Sequence, residues 1–128
     1  MRLLLDTHAL LWWWLDDARL SRRARSLLEG ENTDFFVSAA SALEIAIKVR
    51  VGKLPEARRL IEDFDAGLAL QGMQHLPVTV AHGRRAGLLA GRHRDPFDRI
   101  LAAQSLIEDL AILSNDKLLG TFGARMVW

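Results

Sequence analysis

Short apolar runs alternate along the chain with longer segments whose apolar residues recur at helical spacing. Arg2-Leu3-Leu4-Leu5 reads as a buried strand ended by Asp6. Helices are predicted over Thr7–Leu15 and Ser21–Glu29, with Ser21 as an N-cap. Asp34-Phe35-Phe36-Val37 reads as a second strand, and Ser38–Val51 as a helix stopped by Gly52. Pro55–Leu70 is predicted as one helix with Pro55 in its first turn, where a missing N–H costs nothing. His75–Val78 is extended, Thr79–Ala90 is a helix closed by Gly91, and Asp95–Glu108 is a further helix. Leu110–Leu113 makes another strand and Arg125–Val127 an edge strand. Strands separated by helices imply an α/β fold with a parallel sheet covered on both faces. Such sheets bind ligands beyond the carboxyl ends of their strands.

Three acids fall on that edge or at a helix start. Asp6 follows the first strand directly, and Asp116 follows Leu110–Leu113 by the link Ser114-Asn115. Each also suits a helix cap. In Asp95-Pro96-Phe97-Asp98, Asp95 caps the helix and Pro96 takes its first position. Asp98 is favoured there by the helix dipole but not required, so it is the better ligand candidate. Glu44 lies in the apolar helix Ser38–Val51, on a stripe with Ala40, Ile47 and Val51. A carboxylate pointing inward there is costly without compensation. The alternative is an i,i+4 pair with Lys48 on an exposed stripe.

Carboxylates brought close must share protons or bind a cation. Oxygen ligands without cysteine or histidine favour Mg2+, or Mn2+, over zinc. A divalent ion with open water positions is equipped for phosphodiester hydrolysis by metal-activated water.

Composition narrows the alternatives. The 128 residues suit one domain, 1–128, and the absence of cysteine removes disulfides, zinc–thiolate sites and thiol nucleophiles. No apolar run approaches the roughly 20 residues that span a bilayer, and Met1–Asp6 lacks a secretory signal pattern, so a cytoplasmic location is expected. Net charge of +1 gives no general argument for nucleic acid. Its distribution says slightly more: five arginines (Arg84, Arg85, Arg92, Arg94, Arg99) stand against two aspartates between Thr79 and Arg99, as solvated helix faces first and a phosphate-tracking surface second. A second basic cluster holds Arg19, Arg22, Arg23 and Arg25. Trp12-Trp13-Trp14 cannot all face one core, because successive helical residues lie about 100° apart, and an oligomer or partner surface is one use for them.

Four segments together carry a resemblance: Leu3–Trp12 with Asp6, Ser38–Lys48 with Glu44, Asp95-Pro96-Phe97-Asp98-Arg99, and Leu113-Ser114-Asn115-Asp116. In this order and spacing the chain resembles a PIN-domain ribonuclease, specifically the VapC-like toxin of bacterial toxin–antitoxin pairs. The resemblance implies a three-layer α/β/α sandwich, Mg2+-dependent endonuclease activity on RNA, a homodimer, and an antitoxin that blocks the site. The family's acidic residues fall on Asp6, Glu44, Asp98 and Asp116, as catalytic and metal-ligating residues. Ser114 takes the place of the hydroxyl residue two before the last Asp, and Asp95 is a cap or supports the ligands. Arg92, Arg94 and Arg99 flank Asp98 as candidates for holding RNA, while His8 and His93 are read as structural or surface residues.

Other classes fit less well. A phosphoacceptor receiver domain needs paired acids after the first strand, and Asp6 stands alone. A haloacid-dehalogenase-type phosphatase needs a second Asp two residues after the nucleophile, where His8 stands. A non-catalytic binding module of PIN fold predicts lost carboxylates, and all four are present.

Overall fold

Leu3, Leu4 and Leu5 are fully buried, and their alternation decides how the molecule is layered. Leu3 and Leu5 enter one core with Phe35, Val37, Ile45, Leu60 and Leu68, while Leu4 enters another with Leu101, Ile112 and Leu119. Successive strand residues point to opposite faces, so one strand serves two cores. The computed structural model describes residues 1–128 and contains five strands. These are β1 (Arg2–Leu5), β2 (Asp34–Ser38), β3 (Gln74–Leu76), β4 (Ala111–Leu113) and β5 (Met126–Val127). All neighbours pair in parallel, in the order β3-β2-β1-β4-β5. Helices cover both faces, giving the α/β/α sandwich. The order also differs from the 2-1-3-4-5 arrangement of receiver domains.

Chain direction reverses its lateral progress at β1: β2 and β3 extend to one side, β4 and β5 to the other. The crevice beyond the carboxyl ends of β1 and β4 is therefore the switch point where open sheets place ligands. Asp6 lies at its lip, its N–H donating to the Leu113 carbonyl at 3.2 Å. Helix α1 (Thr7–Trp14) starts there, and α3 (Ala39–Arg50) starts at the end of β2 with Ser38 as its N-cap. Gly52, at φ +81°, follows α3 as the spacing predicts.

Three expected elements differ. The predicted helix Pro55–Leu70 is a 3-10 turn over Pro55–Ala57, then α4 (Arg58–Glu62) and α5 (Phe64–Leu70), separated at Asp63. The predicted helix Thr79–Ala90 is α6 (Val80–Leu88), with Thr79 as cap, and it ends before Gly91. Its last carbonyls accept from Arg99 of the helix α7 (Pro96–Glu108), a contact that no signal near Leu88 announces. The extended piece predicted over His75–Val78 pairs only over Gln74–Leu76. Helices α2 (Arg22–Glu29) and α8 (Lys117–Gly120) complete the set.

The three tryptophans divide among three neighbours. Trp12 meets Trp128 edge-on at 5.8 Å and carries Arg19 over its ring, Trp13 donates to Gln71 Oε1 at 3.2 Å, and Trp14 lies on Gly67. A Cβ at position 67 would stand 2.9 Å from Trp14 Cη2. Gly67→Ala is expected to destabilise the fold by about 1 kcal/mol, overpacking outweighing the helix propensity gained. In a Trp14→Phe background the same change is expected to stabilise. Urea denaturation of the four proteins decides it, and a loss in both backgrounds would refute the packing account.

Candidate active site

Side chains from three elements meet beyond β1 and β4. Asp6 is 3 % exposed and accepts a hydrogen bond from Ser114 Oγ at 2.7 Å. The same Ser114 hydroxyl oxygen accepts from the Asp116 N–H at 3.0 Å, joining the two strand ends. Asp116 also caps α8, its Oδ1 accepting from the Leu118 N–H at 3.0 Å. Helix α7 runs back along the sheet into β4, which brings its N-terminus to the same edge. Asp95 caps it through bonds from the Phe97 and Asp98 N–H groups, as the Asp-Pro spacing predicts. Asp98, freed from capping, meets His93 Nε2 at 2.7 Å.

One oxygen each from Asp98 and Asp116 and a nitrogen of His93 lie within 4.8 Å of one another. The oxygens of Asp6 and Glu44 fall outside that group. Asp6 is tied to it by Ser114 and by charge. Burial raises the Asp6 carboxyl above its ordinary range, opposed by the Ser114 bond, with the Asp116 charge adding to the rise. Asp98 is pushed up to about 6 by burial first, against the lowering His93 bond, with Asp95, Asp6 and Asp116 raising it further. Carboxyls whose ionised forms are disfavoured by burial and by each other become favourable when a divalent cation sits among them. The donor set therefore fits a divalent metal.

Glu44 is buried at 7 % exposure and paired with Lys48 at 2.9 Å, so both readings of it hold in part. The stripe differs from the expected one: Ser41, Glu44, Ile45 and Val49 are buried, whereas Ile47 and Val51 are exposed. Ser41 Oγ and Thr7 Oγ1 share a hydrogen bond of 2.8 Å, locking α3 to the start of α1. Glu44 follows Ser41 by one turn on that face, along the side of α3 that meets the chain just after Asp6.

Arg99, a candidate for holding RNA from its place beside Asp98, is otherwise engaged. Its guanidinium donates to the main-chain carbonyls of Ala86 (2.9 Å), His93 (2.8 Å), Gly87 (3.5 Å) and Leu89, and stacks over Phe122. Arg92 and Arg94 stay exposed and line an open hollow of about 640 Å³ with Gly91, His93 and Arg99. His93, read from the sequence as a structural or surface residue, stands against Asp98 at 2.7 Å. Its signal was local, five residues before Asp98 in an extended stretch that can fold back on a helix start.

The profile of the PIN domain matches residues 3–123. None of the curated proteins compared with the chain matches it. Among solved structures, the chain is similar to one from VapBC2 of Rickettsia felis bound to a promoter DNA fragment, at 15 % identity and a TM-score of 0.73, covering 99 % of this chain and 98 % of that one. It is similar to a chain of a Klebsiella pneumoniae toxin–antitoxin complex, at 16 % identity and a TM-score of 0.68, covering 98 % and 96 %. A third is FitAcB from Neisseria gonorrhoeae, at 19 % identity and a TM-score of 0.69, covering 100 % and 97 %. With the acids assembled at the switch point of this sheet and the profile spanning nearly the whole sequence, the chain belongs to the PIN domain family.

Proposed function

We propose that this protein is a Mg2+-dependent endoribonuclease and the toxin of a toxin–antitoxin pair. The observation that carries the reading is the linked set Asp6–Ser114–Asp116 beside Asp98, with Asp6 and Asp98 both held above the ordinary carboxylate range. Mg2+, or Mn2+, held there supplies counter-charge for the phosphodiester and acidifies water. Ser114 fixes the Asp6 oxygens, the Leu118 N–H fixes those of Asp116, and Lys48 holds Glu44 extended from α3. Arg92 and Arg94, exposed beside Asp98, hold the RNA backbone, and Arg99 supports the loop that carries them.

The partner half of the reading rests on the surface. Leu43, Ile47 and Val51 recur every fourth residue along and just beyond α3 and are 56 %, 37 % and 49 % exposed. An apolar stripe of that kind suits an antitoxin segment or the second copy of a homodimer. The similar structures include a complex described as toxin–antitoxin, which supports such a partner. No helix is long and apolar enough to cross a membrane.

Incubation of purified protein with total RNA, with Mg2+ and with chelator, tests the proposal. Cleavage is expected with Mg2+ only, and Asp6→Asn and Glu44→Gln are each expected to reduce it at least about a hundredfold. Cleavage that ignores chelator, or that survives Asp6→Asn, would sink it. A parent protein inert with every divalent ion favours the non-catalytic binding module.

A further inference from the structure

We propose that His93 is itself a metal ligand, so that the centre is a mixed imidazole–carboxylate site with an added preference for transition-metal ions over Mg2+. This rests on the metal-nuclease reading above and concerns the donor set of that same site.

The geometry comes first. Ligand atoms about 2.1 Å from one ion lie at most about 4.2 Å apart. The His93, Asp98 and Asp116 donors already lie within 4.8 Å of one another, so small side-chain rotations close the remaining gap. The carboxylates of Asp6 and Glu44 are not in that group, which leaves the imidazole among the best-placed donors.

His93 is also held in a way that a surface histidine does not need. Side chains of His93 and Asp98 are only 17 % and 16 % exposed. The Arg99 guanidinium fixes the His93 carbonyl at 2.8 Å and lies over the Phe122 ring at 5.2 Å. Phe122 in turn packs on the imidazole with ring centres 5.9 Å apart. Gly91 turns the loop at φ +123°, where a Cβ would come 3.3 Å from Phe122. Arginine, phenylalanine and glycine thus aim Nε2 at the carboxylates, the kind of support that ligands of a metal centre require.

The chemistry then follows. Mg2+ favours hard oxygen donors, whereas imidazole suits first-row transition ions. A nitrogen among oxygens shifts selectivity towards the latter without abolishing Mg2+ binding.

Mn2+ is the probe. The full chain is titrated with Mn2+, free ion is followed by electron paramagnetic resonance, and bound ion is examined by spin-echo envelope modulation for a coupled 14N nucleus. One imidazole coupling is expected in the parent and in His8→Gln, and none in His93→Gln. Mn2+ affinity should fall about tenfold in His93→Gln, with Mg2+ affinity measured by competition changing less than about threefold. Bound Mn2+ without nitrogen coupling in the parent would overturn the proposal and leave the carboxylate centre standing. Coupling that survives His93→Gln and disappears in His8→Gln would overturn it too. Failure to bind Mn2+ at all would overturn both this proposal and the metal-nuclease reading. The parent and His8→Gln spectra decide the outcome even if His93→Gln folds poorly.

Discussion

Asp98→Asn is expected to reduce RNA cleavage at least about a hundredfold while making the metal-free protein more stable at neutral pH. The two effects have one cause. Asp98 sits among Asp95, Asp6 and Asp116, largely out of water, and its carboxyl titrates at about 6 instead of near 3.8. Below pH 4 the carboxyl is protonated in both folded and unfolded chains, and the substitution should change little. Between pH 4 and 6 the folded state keeps a proton that the unfolded chain releases, so stability falls as pH rises through this window. Above pH 6 the full cost of the folded charge remains. A rise from 3.8 to about 6 corresponds to about 3 kcal/mol, and relaxation around a partly solvated group lowers the expectation to about 1–3 kcal/mol. Asparagine is nearly isosteric and carries no charge, so it escapes that cost. Urea denaturation in chelator at pH 4, 5, 6 and 7 should give parent and variant curves that diverge across the series. Added Mg2+ should stabilise the parent preferentially and narrow the gap. A variant less stable than the parent at pH 7 in chelator would show that Asp98 is a structural residue.

That opposition between stability and function explains why so much of the site was legible from the sequence. Asp6 and Asp116 stand where strand ends must lie, and position mainly marks them, whereas Asp98 stands out at its helix start because Asp95 is already taken up as the cap. The apolar runs gave β1, β2 and β4 to within a residue or two, because a strand buried on both faces has few ways to be written. What escaped was non-local. Helix α6 stops at Leu88 because Arg99 takes its last carbonyls, and nothing near Leu88 records that. Glu44 is a mixed case: the sequence offers it as buried or as paired with Lys48, and it is both, because the long Lys48 stem spans the turn to reach it at 2.9 Å while its ammonium stays partly in water. The expected stripe through Ile47 and Val51 assumes that the whole apolar side of α3 is covered, whereas the sheet, α1, α4 and α7 leave Leu43, Ile47 and Val51 exposed. His93 reads as a structural or surface residue in the sequence for a similar reason. A histidine in a loop gains its role from the fold that returns it to Asp98, and spacing gives no account of that return.

Arg99→Met is expected to destabilise the protein by about 2–4 kcal/mol, one of the largest costs from any single substitution outside the two cores. Four of its five N–H donors go to carbonyls: Ala86, Gly87 and Leu89 at the end of α6, and His93 in the loop before α7. The last carbonyls of a helix lack intrahelical partners, and here a side chain from the next helix satisfies them. Methionine is similar in length but removes the guanidinium from over Phe122 and leaves these acceptors to find water in a partly buried site. Each bond to a charged donor contributes about 1.5–3 kcal/mol when tested singly, and shared geometry keeps the sum well below four times that figure. Arg99→Lys should recover less than half of the loss, since one ammonium cannot reach carbonyls spread along a helix end and a loop. The loss should also be local. Amide exchange in α6 and the 89–95 loop is expected to accelerate before that in β1 and β4, which supply residues to both cores while α6 supplies none. Because the same guanidinium holds His93 beside Asp98, cleavage should weaken in Arg99→Lys under conditions where that variant remains fully folded. Full rescue of stability by lysine would show that Arg99 acts as a point charge and not as a multi-carbonyl clamp. Normal cleavage by a folded lysine variant would separate the clamp from the site it borders.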